Sequence, residues 1–204
     1  MLESPTTTNG GLFSGAYDYA MWPFERAFIG AWRRRLASRV HGKVLEIGAG
    51  TGASFPWYPA GVEVVAIEPS EAMAARARER ARAAIASVDL VVARAEELPF
   101  ADASFDATLS TFTWCSVADP VQGLAEVRRV LMPGGELLLI EHVHLPWEPG
   151  RIAQSVVSPL WEQVAGGCHL DRDTERLVRE AGFEVTERRQ HVLDWIVELV
   201  ARRS

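Results

Sequence analysis

The sequence predicts an α/β fold: a mostly parallel sheet with helices on both faces. Three observations carry this. Short apolar runs alternate with stretches of helical period; the runs are apolar almost throughout rather than at every second position; and most end in a turn built on glycine, proline or an acidic residue. Strands buried on both faces read this way, and their alternation with helices makes a parallel sheet.

Residues 1–10 carry small and polar groups without apolar period and read as a tail. Tyr17, Met21, Phe24, Phe28, Trp32 and Leu36 then fall at rough helical spacing, so residues 16–40 predict an amphipathic helical region broken near Pro23. Arg33, Arg34 and Arg35 are consecutive and point to different sides of such a helix. A solvated face is their expected role; contact with an anionic membrane surface is the alternative. Strands are expected over Val44–Ile47, Val62–Ile67, Asp89–Ala93, Asp106–Thr111 and Glu136–Glu141. Ser70 caps a helix in which Met73, Ala77, Ala81, Ala84 and Ile85 share a face. Asp119-Pro120 starts another, lined by Val121, Leu124, Val127 and Leu131, and Pro133-Gly134-Gly135 breaks the chain after it. Residues 146–170 read as an inserted helix with loops, Asp173–Ala181 as a helix stopped by Gly182, and Glu184–Arg189 with Val192–Val200 as a closing antiparallel pair. In such a sheet the first and fourth strands flank a switch point, where ligands bind beyond the strands' carboxyl ends.

Composition excludes several functions. The chain has 204 residues, 24% of them charged, and a formal net charge of −6. That is one domain with a real core, and an acidic one, so nucleic acid is not the expected partner. No apolar run reaches the length of a membrane span, and no charged start precedes an apolar stretch as in a secretory leader. Two cysteines, Cys115 and Cys168, make no disulfide framework, and a cytoplasmic location is expected. Lys43 is the single lysine. A P-loop is therefore absent, as is the Tyr-x-x-x-Lys pair of short-chain dehydrogenases.

The sharpest local signal is Glu46-Ile47-Gly48-Ala49-Gly50-Thr51-Gly52. Glycines after a buried strand let the backbone turn tightly and approach a ligand closely. Glu68 ends the next strand, 20 residues after Gly48, where a carboxylate can accept both hydroxyls of a ribose. Together they predict an adenosine-bearing cofactor. Gly48, Gly50 and Ala53 also satisfy the dinucleotide pattern G-x-G-x-x-G/A. Charge decides between the two classes. A carboxylate at Glu46 would repel a pyrophosphate and attract the ammonium of a methionine tail, which favours S-adenosylmethionine over NAD. The alternative is that Glu46 satisfies local backbone donors.

At this point the sequence resembles the class I S-adenosylmethionine-dependent methyltransferases of the broad type 11 group. The motifs are VLEIGAGTG (44–52), VVAIEPSEAM (64–73), AEELPF (95–100) followed by SFD (104–106), and RVLMPGGELLLIEHV (129–143). The resemblance implies a Rossmann-like seven-stranded sheet whose last strand is antiparallel. It implies that Glu46, Gly48, Gly50 and Gly52 form the methionine and ribose loop and that Glu68 holds the ribose. Pro69 and Ser70 would border the adenine, Ala95 and Glu96 would meet its edge, and Ser110 and Thr111 would face the methionine end. One departure stands out: Arg94 occupies a position where the family often has an acidic residue. STFTWCSVADP (110–120), IEHV (140–143) and residues 158–183 are more narrowly similar to thiol methyltransferases, to bacterial phosphatidylethanolamine N-methyltransferases and, more distantly, to quinone C-methyltransferases.

The expected organisation is a tail with lid helices over residues 1–40 and one methyltransferase domain over 41–204, with a helical insert near 146–170. The expected reaction is methyl transfer to a small or amphiphilic acceptor: a thiol, a lipid head group or a quinone-like ring. Peripheral membrane contact is compatible with that acceptor. An NAD-dependent oxidoreductase and a catalytically idle cofactor-binding module are the alternatives. His142, just past the fifth strand, is the candidate general base, with a hydrogen-bonded structural role as its alternative. Tyr17 and Tyr19 resemble the family's lid tyrosines, with simple packing as the alternative. Trp114 is placed either as a wall of the acceptor pocket or in the core; Trp147 and Trp161 either extend that pocket or pack. His142, His144, Cys168 and His169 fit none of the standard zinc spacings, and no metal is expected.

Overall fold

The computed structural model describes residues 28–164, 167–192 and 194–204. Seven strands form one sheet: β1 (Lys43–Ile47), β2 (Glu63–Ile67), β3 (Ser87–Val91), β4 (Phe105–Thr111), β5 (Leu131–His142), β6 (Phe183–His191) and β7 (Ile196–Arg203). Their order is β3-β2-β1-β4-β5-β7-β6. β1 pairs in parallel with both β2 and β4, which makes the gap between β1 and β4 the switch point. β7 runs antiparallel to both β5 and β6. This is the seven-stranded, mostly parallel Rossmann-like sheet that the motifs imply.

Five α-helices accompany the strands among the described residues: α1 (Gly30–Ala37), α2 (Glu71–Ala81), α3 (Pro120–Val130), α4 (Glu148–Val164) and α5 (Thr174–Glu180). The alternation of side chains along β1 divides the core in two. Leu45 and Ile47 pack with Leu124, Val127 and Val178 of α3 and α5 on one face. Val44 packs with Leu36 and Ala77 of α1 and α2 on the other. The caps form as the sequence predicts. Ser70 accepts from Met73 N at 3.4 Å, and Asp119 accepts from Gln122 N at 3.0 Å with Pro120 behind it.

Several boundaries and faces differ from expectation, each for a local reason. β3 lies two residues early, because Ser87–Val91 matches Glu63–Ile67 residue for residue and the Val91 carbonyl then turns to Glu68 N. The Pro133–Gly135 break sits inside β5 as a bulge: Leu131 pairs with Phe105, and regular pairing resumes at Glu136 with Ala107. α2 ends at Ala81, so Ile85 falls beyond it and is exposed. In α3 the inward face is Gly123, Leu124, Val127 and Val130, while Val121 is exposed. β7 begins four residues later than expected because Val192 and Asp194 take positive φ in the turn before it.

The three arginines of α1 do point three ways, and the solvated-face reading holds for exposed Arg34 but not for Arg33. Arg33 is buried and bonds to Thr111 and Ser54. Arg34 lies over the Trp57 ring. Arg35 pairs with buried Glu198 on β7. The expected helical stretch before residue 28, with Tyr17, Tyr19 and Pro23, lies outside the described residues.

Candidate functional site

The glycine loop leaves β1 at the switch point. Gly48, Gly50 and Gly52 take φ of +65°, +57° and +84°, values that glycine adopts without strain. The loop is held from several sides. Ala49 N donates to the Ile67 carbonyl at 3.0 Å, and Arg80 of α2 donates to Thr51 Oγ1 at 2.6 Å. A Cβ added at Gly48 would meet the Thr113 side chain at 2.4 Å, and one at Gly52 would meet the Phe55 ring at 2.6 Å. Above Gly50 nothing lies within 4 Å of such a Cβ. The loop is therefore packed at both ends and open in the middle.

Glu68 stands beside that opening. Its carboxylate accepts from Gly50 N and Ser70 N, each at 2.9 Å. Burial pushes its pKa up, and the two backbone donors draw it back. Pro69 follows it, exposed. An open stretch of backbone thus lies next to the carboxylate to which the sequence reading assigns a ribose.

Glu46 points from β1 to the opposite face of the sheet from Leu45. It is fully buried and accepts from Tyr58 Oη at 2.8 Å. Burial raises its pKa to about 7, against bonds from Tyr58 and Ser54 and the nearby charge of Arg33. Its recorded partners are side chains, not the backbone donors of the alternative reading. Arg33, whose neighbours also include Thr111 at the end of β4, is a candidate site residue that sequence reasoning did not single out. The available signal was its place on the helix face of Ile29, Leu36 and Ala37, but the run of three arginines masked it.

The remaining candidates divide. Ser110 and Thr111 end β4 beside the loop and are buried. Ser110 accepts from the Trp114 indole at 2.8 Å. Trp114 itself has no exposed surface and packs in the core against Ala95, Leu124 and their neighbours. Of its two readings, packing describes this position. Ala95 is buried in the same cluster. Glu96 is turned toward the start of α3, where it accepts from Ala118 N at 3.1 Å and Asp119 N at 3.3 Å, and pairs with Arg94 at 3.3 Å. Desolvation opposes these bonds, yet they hold its pKa below the ordinary carboxylate value. Arg94, the departure from the family pattern, thus serves to anchor Glu96.

Beyond the end of β4, Glu141 of β5 organises the turn. Its Oε1 accepts from Thr113 N at 2.6 Å and Trp114 N at 2.8 Å. Burial raises its pKa, against the His142 charge and those donors. Phe112, in this turn, takes φ of +55°, a strained value for a bulky residue. Next to Glu141, His142 Nε2 lies 3.0 Å from Cys168 Sγ, with Cys115 close by. Burial would lower the His142 pKa, but the Cys168 sulfur and the Glu141 charge outweigh it and the pKa is raised. His144 and His169 do not belong to this group, whereas Cys115 does.

α4 supplies the surface on this side. Its inner face carries Gln154 and Ser158, both buried. Gln154 bridges the Val143 and Leu170 carbonyls and Leu145 N, and Ser158 accepts from Leu170 N. Its outer face exposes Ile152, Val156, Val157, Leu160 and Trp161, with Trp147 just before it. No helix among the described residues is long and apolar enough to cross a membrane.

Comparison with known proteins identifies the family. Residues 45–139 match the family model described as "Methyltransferase domain". The human thiol S-methyltransferase TMT1B is 35% identical over 179 residues, 80% of this chain and 73% of that protein; its rat counterpart is matched over 62% of its length. Phosphatidylethanolamine N-methyltransferase of Cereibacter sphaeroides is 34% identical over 76% of this chain and 78% of its own. Among solved structures, a SAM-dependent methyltransferase of Thermotoga maritima superposes with a TM-score of 0.73 at 25% identity, covering 95% of this chain and 98% of that one. The strand order and these likenesses converge, and the chain belongs to the class I S-adenosylmethionine-dependent methyltransferases.

Proposed function

We propose that this protein transfers a methyl group from S-adenosylmethionine to a small or amphiphilic acceptor of low polarity. The donor supplies a methyl group already activated on a sulfonium, so the protein's task is alignment and exclusion of water. Glu68 accepts the ribose hydroxyls beside the open cradle at Gly50. Glu46 and Arg33 set a buried carboxylate and a guanidinium near each other at the ends of β1 and β4. An acidic and a basic group side by side suit the ammonium and carboxylate of the methionine end. Pro69, Ala95 and Glu96 border the adenine in this reading, and Ser110 and Thr111 the methyl.

The observation that carries the acceptor class is the outer face of α4. Five of its apolar side chains are exposed, just past the carboxyl end of β5. A run of exposed apolar groups of this kind marks a site for an apolar ligand or surface. The thiol and phosphatidylethanolamine relatives carry names that fit such an acceptor. His142 is on the same side, but its contact with Cys168 makes it part of a cluster rather than a lone base.

The test is a radiolabelled methyl-transfer screen over an alkyl thiol, a quinol, phosphatidylethanolamine vesicles and polar amines. Transfer to one or more of the first three is expected, and it should fall several-fold in a Val156→Glu/Leu160→Glu variant that melts like the wild type. Transfer confined to polar amines would overturn the acceptor class. Cofactor binding with no transfer to any acceptor would favour the idle module.

A further inference from the structure

We propose that Cys115, His142 and Cys168 form a metal site for a single ion of the zinc class. The three residues come from separate parts of the chain: the turn after β4, the end of β5 and the loop after α4. Their ligand atoms nevertheless lie within 4.8 Å of one another, and His142 Nε2 is 3.0 Å from Cys168 Sγ. Two sulfurs and an imidazole nitrogen are the donor set that borderline and soft ions select.

The convergence is built by the fold. Glu141 grips the turn that carries Cys115 through Thr113 N and Trp114 N. Arg172 donates to the Val117 carbonyl at 2.7 Å and to that of Trp114, closing the same turn from the far side. His169 N donates to the Cys115 carbonyl at 2.9 Å, which ties the two cysteine segments directly. Gln154 and Ser158 fix Leu170 from α4. Donors held this firmly before an ion arrives are what a metal site needs. Both cysteines are buried, at 2% and 8% exposure, so the group is shielded from bulk solvent. The carboxylate of Glu141 adjoins His142, and its Oε2 is buried with no hydrogen-bond partner among the described residues. A carboxylate adjoining the cluster favours a cation there.

Three protein donors leave a fourth coordination position for water or an exogenous ligand. On binding, each thiol gives its proton to solvent and no electron changes hands. The inference goes beyond methyl transfer and holds whatever the acceptor is.

The test uses the full chain, produced without a histidine tag in zinc-supplemented medium. Mass spectrometric metal analysis should find about one zinc per chain, the stoichiometry of a single site. Replacement by Co²⁺ should give an intense thiolate-to-cobalt charge-transfer band and tetrahedral visible bands. Cys115→Ser and Cys168→Ser should each lose most of the bound metal while still binding S-adenosylhomocysteine by calorimetry. The proposal is overturned if the wild type stays metal-free after zinc or Co²⁺ reconstitution with both thiols free or joined in a disulfide. It is also overturned if folded cysteine variants keep full metal content. Should the variants fail to fold, the cobalt spectrum of the wild type decides alone.

Discussion

Glu46 concentrates the chemistry of the site in one side chain. Its folded pKa of about 7 stands above the ordinary carboxylate value of 4.5, chiefly through burial. Between those two values the native chain holds a proton that the unfolded chain has released, so stability falls as pH rises through this window and is lowest above about 7. Glu46→Gln keeps an acceptor for Tyr58 and removes the titration. It should flatten this slope, gaining about 2–3 kcal/mol relative to the wild type between pH 5 and pH 8. Denaturant unfolding of both proteins across that range is the check, and parallel slopes would show that Glu46 does not titrate there. Much of the candidate site was legible at this scale. Glu46, the three glycines and Glu68 follow from spacing and charge alone, because a turn and a ribose impose local requirements. Arg33, Cys115 and Glu141 were not, because their partners Thr111, Cys168 and Thr113 are distant in the chain and only tertiary packing brings them near.

The elements around the glycine loop differ in how tightly they close on it. Gly48 touches Thr113, whose Oγ1 donates to the Ile47 carbonyl at 3.0 Å, whereas Gly50 faces open space. Both have positive φ, so an alanine at either position carries a conformational cost of about 1–2 kcal/mol. Gly48→Ala must also displace Thr113, raising the loss to about 2–4 kcal/mol. Gly50→Ala should retain most of its stability and instead weaken S-adenosylhomocysteine binding, because the new methyl projects into the cradle. Equal losses of stability with unchanged binding would remove the cradle from the cofactor site. Element identity was legible wherever caps and apolar runs agreed, as at Ser70 and Asp119. Boundaries slipped where pairing with a neighbour outweighed local pattern, as when β2 set the frame of β3.

At the scale of the molecule, the sheet is two-sided in its wiring. Strands β1 to β5 assemble in parallel around the switch point, and the remaining pair is added with β7 innermost. Leu137 and Leu139 of β5 take their second ladder from Ala201 and Leu199. Removing residues 196–204 should therefore detach β6 as well as β7, expose the edge of β5 and abolish cooperative thermal unfolding. A truncated chain that still melts in one sharp transition would show that the first five strands fold alone. The strand order carries a consequence for assembly. β7 follows β6 in the chain yet lies between β6 and β5, so β6 has no partner in the sheet until a later segment inserts between two earlier ones.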